Sequence, residues 1–280
     1  MKILLTNDDS HRSPLLESAI RYLSQLGDLE IVVPHHEQSW TGKSITRFKP
    51  VHIHSLELFG RKAHAVTGTP SDCVNAAIHN ILKSKPDLIV SGINAGYNAG
   101  LGFIISSGTV GACFEGNLAD IPAVALSQAF DPATRNRYIV DYMIAPELVE
   151  RFDQQTRTVL DKVFSTIFSG ANRQEVLSTP ITWNINFPFE LTDPKIVSCV
   201  PMSKNRYGAC FAEDGDAESN GIRTLNHGRI TQVVDPNAHT DSAVIQRGAA
   251  SLTPINLWGL TGEEMPPVVG RVLSELQQQP

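Results

Sequence analysis

The chain predicts an α/β fold with a mainly parallel sheet flanked by helices. Two observations carry that expectation. Short apolar runs recur at residues 2–6, 31–33, 87–90 and 123–126, each ending in a polar or glycine-rich loop, and segments with helical spacing lie between them. Strands alternating with helices at this spacing form βαβ units with right-handed crossovers. In such sheets the ligand crevice lies beyond the carboxyl ends of the strands. The length of 280 residues fits one large or two small domains at about 150 residues each. No internal repeat, low-complexity tract or linker divides the chain, so a single domain over 1–280 is expected.

In chain order, residues 2–6 form a strand that breaks at Asn7, Asp8 and Asp9, and a helix over 14–26 carries Leu15, Leu16, Ala19, Ile20 and Leu23 on one face. The run 31–33 ends at Pro34 and opens a polar loop through Ser39 to Ser44. A strand at 63–66 precedes Gly68, Thr69 and Pro70, after which Ser71 and Asp72 cap a helix running through Val74, Ala77, Ile78 and Leu82. The run 87–90 leads into Ser91-Gly92-Ile93-Asn94, and the glycine-dense stretch 92–116 contains Ser107-Gly108-Thr109, which opens a helix. Residues 123–126 are the next buried strand. Beyond Asp131 the pattern loosens to a helix at 159–168, strands at 181–187 and 196–200, and a closing helix at 268–278. Between them, 203–241 is polar and rich in Gly, Asp and Asn, as expected of a binding loop, a β-arm reaching a partner subunit, or a mobile segment.

Composition excludes several classes. Lys and Arg number 23 against 29 Asp and Glu, a net charge of −6, which lacks the cationic excess of a nucleic-acid binder; no stable nucleic-acid complex is expected. The N-terminal apolar run is too short for a signal peptide, and no stretch is long enough to span a membrane. Four cysteines without CxxC spacing point to free thiols and a cytoplasmic location.

Asp8 and Asp9, Ser39 and Asn94 all fall at strand ends, where residues remote in sequence converge. Together they offer hard oxygen donors suited to Mg²⁺ or Mn²⁺ rather than zinc, and such an ion can bind a phosphate oxygen and activate water for phosphoester hydrolysis. The aspartate pair taken alone is more often a turn with a helix cap. The segments 68–71 and 107–109 each precede a helix start, where an anion is favoured, although ordinary capping accounts equally for both. Glu37 occupies the position a P-loop needs as glycine, and neither GxGxxG nor GxSxG occurs. The adjacent aspartates also differ from the Asp-x-Asp of haloacid-type phosphatases. His35 and His36 are metal or proton-transfer candidates or solvated loop residues, and Lys43 and Arg47 either bind phosphate or solvate a loop. Trp40, Tyr97 and Phe103 flank the crevice and offer rings for stacking on a base or for packing.

The segments ILLTNDD at 3–9, GTPSDCV at 68–74, PDLIVSGINAGYN at 86–98, SGTVGACFEG at 107–116, IPAVALS at 121–127, NINFP at 184–188 and TDSAVIQRGAASLTP at 240–254 together resemble the SurE family of survival proteins, metal-dependent nucleoside monophosphate phosphatases. The resemblance implies a Rossmann-like core over about 1–130 that carries the metal site. The rest of the core, a C-terminal arm exchanged between subunits and a terminal helix then fill 131–280, in a homodimer or homotetramer. It also implies hydrolysis of 5′- and 3′-nucleotides by attack of metal-bound water, with one Mg²⁺ or Mn²⁺ per subunit on Asp8, Asp9, Ser39 and Asn94. Asp8 and Asp9 are then the catalytic pair, and Asn98, Ser107, Gly108 and Thr109 lie on the substrate side. The chain departs from the family pattern at Ser10, where Asn-Asp-Asp-Gly is usual, and at 98–102, where Asn-Ala-Gly-Leu-Gly replaces Asn-Leu-Gly-Asp-Asp. A non-catalytic nucleotide-binding protein and a phosphatase for another phosphoester, such as polyphosphate, are the competing expectations.

Overall fold

In a computed structural model, which describes residues 1–168, 170–193, 196–213, 223–228 and 230–278, the elements follow the expected alternation. They begin with β1 (Lys2–Thr6), α1 (Leu16–Leu23), β2 (Asp28–Pro34), β3 (Ile53–Leu58), β4 (Arg61–Val66), α2 (Pro70–Ala76), β5 (Leu88–Ala95), α3 (Leu101–Ser106), α4 (Gly108–Leu118) and β6 (Ala123–Gln128). They continue with α5 (Pro132–Asp141), α6 (Pro146–Ile167), α7 (Arg173–Leu177), β7 (Thr182–Phe187), β8 (Val197–Cys199), β9 (Arg206–Tyr207), β10 (Phe211–Glu213), β11 (Leu225–His227), β12 (Gln232–Val233), α8 (Asp241–Gln246), β13 (Ala250–Ile255) and α9 (Pro267–Gln278).

Nine strands form one sheet in the order β3-β4-β2-β1-β5-β6-β7-β13-β8. The pairs from β4 through β7 are parallel, whereas β3 joins β4 and β13 joins β7 antiparallel. The central strands are buried on both faces, so they read as continuous apolar runs. Their side chains still alternate between two layers. Ile3, Leu5, Val90 and Leu126 face α1, α6 and α9 through Leu16, Ile20, Val159, Val163 and Val272. Leu4, Ile89, Ala123 and Ala125 face α2 and α4 through Val74, Val110 and Cys113. Burying a Leu or Ile side chain in either layer contributes about 2 kcal/mol.

The chain leaves β1 for β2 on one side and returns through β5 on the other, so the strand order reverses at β1. The crevice beyond the carboxyl ends of β1 and β5 is the switch point at which such sheets bind ligands. Gly92, in β5, makes the close approach there: at φ +132° a Cβ would lie 2.3 Å from the Leu126 carbonyl oxygen. The register between β5 and β6 shifts between Ser91 and Asn94.

Several boundaries differ from the sequence expectation. The helix expected at 159–168 begins at Pro146, and the helix through Leu82 is an α-turn run to Ala76 that widens into a π-turn over Ala77–Ile81. The expected strand at 63–66 is β4, whereas its edge partner β3, the short α3, α5, α7 and α8, and β13 have no counterpart in the sequence expectation. Part of the polar stretch 203–241 forms small two-stranded ribbons, β10 with β11 and β9 with β12; residues 214–222 and 229 lie outside the described residues. All four cysteines are unpaired, and among the described residues no helix is long and apolar enough to cross a membrane.

Candidate active site

Asp8 and Asp9 follow β1 after Asn7 and are almost wholly buried, at 3% and 2% exposure. Among the described residues neither forms an ion pair with a cationic side chain. Each carboxylate is instead held by neutral donors. The Thr109 hydroxyl donates to Asp8 Oδ1 at 2.5 Å from the first turn of α4. The Ala95 N–H donates to Asp9 Oδ2 at 2.8 Å, and the Tyr138 hydroxyl, from α5, donates to Asp9 Oδ1 at 3.2 Å. Burial pushes the Asp8 carboxyl up to about 6, against the downward pull of the Thr109 hydroxyl and with a smaller upward push from Glu37. Burial, and then the charge of Asp8, push Asp9 well above the usual carboxylate range.

The surrounding loops are tied to the pair through backbone. Gln38 N–H donates to the Asp8 carbonyl at 2.8 Å, which sets exposed Ser39 on the rim. Asn94 precedes Ala95 and donates its amide N–H to the Gly96 carbonyl at 2.8 Å. The N-terminus of α4 approaches so closely that a Cβ on Gly108 would lie 3.0 Å from Asp8 Cβ and 3.0 Å from the Gln38 carbonyl oxygen. Ser107 caps α4, its hydroxyl accepting from Val110 N–H at 3.1 Å.

Asn98 stands one step behind. Its side chain donates to Ser127 Oγ at 2.9 Å, its N–H donates to Asn186 Oδ1 at 2.7 Å, and its carbonyl accepts from Asn184 and Asn186. Fully buried Asp241 clamps the same loop from the other side, accepting from the backbone N–H of Gly100, Ser203 and Ser242. Ser10 adopts φ +71°, the left-handed conformation that glycine would take without strain.

Other candidates lie apart. The capping box of Thr69 and Asp72 accounts for the segment 68–71, with Asp72 also accepting from Thr46. Lys43 is engaged by Glu115, and the Arg47 guanidinium lies over the Phe48 ring. His35 packs against His36, His11 and His54. Trp40, Phe103 and Tyr97 do come together, joined by Tyr207 of β9 and His227 of β11. Sequence reasoning missed Tyr138, Glu37, Tyr207 and His227; no motif or spacing marks them.

The donor set fits a hard divalent cation. Two buried carboxylates without a cationic partner are costly unless a positive ion joins them. Among the described residues no three His, Cys, Asp or Glu side chains are arranged to hold an ion. The aspartate pair could hold an ion only with neutral oxygens completing its shell, and Ser39 and Asn94 are the candidates the strand ends supply.

The chain is similar to known proteins over most of its length. The family model described as Survival protein SurE matches residues 3–209. A protein from Geotalea daltonii named 5′-nucleotidase SurE is 45% identical over 260 residues, covering 92% of this chain and 93% of the relative. A protein of the same name from Methanopyrus kandleri is 33% identical over 259 residues, covering 91% of each chain. The crystal structure of the SurE protein from Aquifex aeolicus superposes with a TM-score of 0.65 at 24% identity, covering 99% of each chain, and supports the fold. The chain belongs to the SurE family.

Proposed function

We propose that the chain is a phosphatase that hydrolyses nucleoside 5′- and 3′-monophosphates at the strand-end carboxylate pair, with one Mg²⁺ or Mn²⁺ per subunit. The observation that carries this reading is the burial of Asp8 and Asp9 side by side, unpaired by any cationic side chain among the described residues, against the N-terminus of α4. The relatives named as 5′-nucleotidases supply the substrate class. Asp8, Asp9, Ser39 and Asn94 would hold the ion, which when bound supplies an electrophile for the phosphate oxygens and lowers the pKa of a water molecule.

The remaining roles belong to the chain itself. Thr109 fixes the Asp8 carboxylate and Ala95 fixes that of Asp9, so both stay oriented without searching rotamers. One of the two aspartates takes the proton of the attacking water. The Gly108 N–H is left without an intrahelical partner by its place in the first turn of α4, and it meets the charge that spreads over the phosphate oxygens. Ser107 holds that turn in shape through its cap, and Asn98 supports the glycine loop rather than reaching the substrate. Four unpaired cysteines suit a reducing cytoplasm. The ribbons of the arm, β9 to β12, bury little of themselves, which suits a homodimer or homotetramer in which a neighbour covers them.

Phosphate release tests this reading. Purified protein is assayed in EDTA and then with Mn²⁺ or Mg²⁺ against 5′- and 3′-nucleoside monophosphates, ribose 5-phosphate and polyphosphate. Release from nucleotides restored by metal is expected. Silence across the panel from folded protein would overturn the catalytic reading in favour of nucleotide binding alone, and release confined to polyphosphate or ribose 5-phosphate would overturn the substrate class.

A further inference from the structure

Five aromatic side chains from four separate segments meet beside the carboxylate pair. Trp40 comes from the loop after β2, Tyr97 from the loop after β5, Phe103 from α3, and Tyr207 and His227 from the arm. The Trp40 ring lies 5.0 Å from Tyr207, 6.2 Å from Phe103 and 6.3 Å from His227, all edge-to-face. Phe103 bridges Tyr207 at 5.9 Å and Tyr97 at 6.5 Å. The Tyr207 hydroxyl is pinned to Ser106 Oγ at 2.6 Å, which anchors the arm to the last residue of α3.

Ordinary packing does not account for Trp40. It follows Ser39 on the rim of the site, it is 45% exposed, and its backbone sits at φ +64°, a conformation unfavourable for a bulky residue. A large ring that is strained in its backbone and yet left open to solvent presents a face, and strain of this kind gathers at ligand clamps.

We propose that Trp40, backed by Tyr207 and Phe103, is a stacking platform for the nucleobase of the substrate, and that the arm therefore takes part in substrate selection. This rests on the reading of the carboxylate pair as the phosphate site. In a nucleoside monophosphate only the sugar separates phosphate from base, so a ring one residue from Ser39 stands where the base emerges. Stacking tolerates any base because every base presents a π-face, and the platform selects for a base over its absence more than for one base over another.

The test compares adenosine 5′-monophosphate with ribose 5-phosphate, which carries the same phosphate and sugar but no base. Trp40→Gly suits the left-handed backbone and removes only the ring; Trp40→Phe restores an aromatic face, and Tyr207→Leu removes the support from the arm. The ratio of kcat/KM for the nucleotide to that for ribose 5-phosphate is expected to fall about tenfold in Trp40→Gly, through KM, as loss of one base–aromatic stack implies. It should fall less in Tyr207→Leu and recover in Trp40→Phe. A ratio unchanged by Trp40→Gly would overturn the platform. Should the wild type release phosphate from neither compound, the catalytic reading fails, and binding still decides the platform. Quenching of tryptophan fluorescence by adenosine 5′-monophosphate that disappears in Trp40→Gly supports it, and equal quenching in both proteins overturns it.

Discussion

The carboxylate pole and the small ribbons that carry Tyr207 and His227 are built in opposite ways. Asp8, Asp9 and Asn94 sit at the ends of central strands, buried and fixed by short hydrogen bonds within a few residues of fully apolar runs. Tyr207 and His227 sit on strands of two and three residues, and His227 is exposed. Position on a strand end gives geometric precision, which bond-breaking chemistry needs, whereas a ribbon on the surface can vary its residues at little cost to the core. On the proposed reading, chemistry belongs to the sheet and choice of substrate to the loops and surface ribbons.

The largest expected effect would break the pole alone. Asp8→Asn and Asp9→Asn should each lower metal-supported phosphate release by about 10³-fold while circular dichroism and gel filtration stay unchanged, because each removes a charged ligand for the cation and a base for the attacking water without removing volume. Activity within tenfold of wild type would mean that the pair is structural.

The seam between the two regions comes next. Asp241 accepts from Gly100 on the glycine loop and Ser203 at the base of the arm. Asp241→Ala leaves those buried N–H groups without a partner and should cost about 3 kcal/mol in urea unfolding. A loss below about 1 kcal/mol would show that loop and arm hold their places independently.

A pH series sharpens the contrast further. The folded protein without metal holds the Asp8 proton to a pH of about 6, above the ordinary value of 3.8. Between those values the folded state binds more protons than the unfolded state, so in EDTA stability falls as pH rises from about 4 to about 6 and the loss persists above that range. Asp8→Asn removes the titration and should stabilise the EDTA-treated protein by about 3 kcal/mol at pH 7.5, with little effect at pH 4. Equal effects at both values would show that Asp8 carries no such penalty.

The smallest effect concerns Ser10, at φ +71° beside the pair. Ser10→Gly relieves the left-handed strain but loses some chain entropy, for a net gain of about 0.5–1 kcal/mol. A destabilised variant would show that the Ser10 hydroxyl, which accepts from Arg12 N–H at 3.3 Å, outweighs the strain.

Much of the pole was legible because its donors interrupt strong apolar runs: Asn7 to Asp9 end β1, and Asn94 falls near the end of β5. The parallel sheet followed from the same runs. Tyr138 was not legible, since α5, with the sequence PATRNRYIVD, has little apolar face and only Thr134 and Tyr138 are buried. The edge strand β3 escaped notice because four of its six residues are exposed and its alternation is weak. The link from Asp241 to Gly100 spans 141 residues, and no local pattern reports a contact of that range. Strands of two or three residues, as in the arm, are shorter than any periodicity can mark.

On the proposed reading, the buried aspartate pair exists to hold a divalent cation. Titration of Mn²⁺ into EDTA-treated protein, followed by electron paramagnetic resonance and by thermal melting in the same samples, tests it without relying on turnover. The wild type should bind one Mn²⁺ per chain and gain several degrees in Tm, and Asp8→Asn and Asp9→Asn should lose both responses. Unchanged binding and stabilisation in either variant would contradict the assignment.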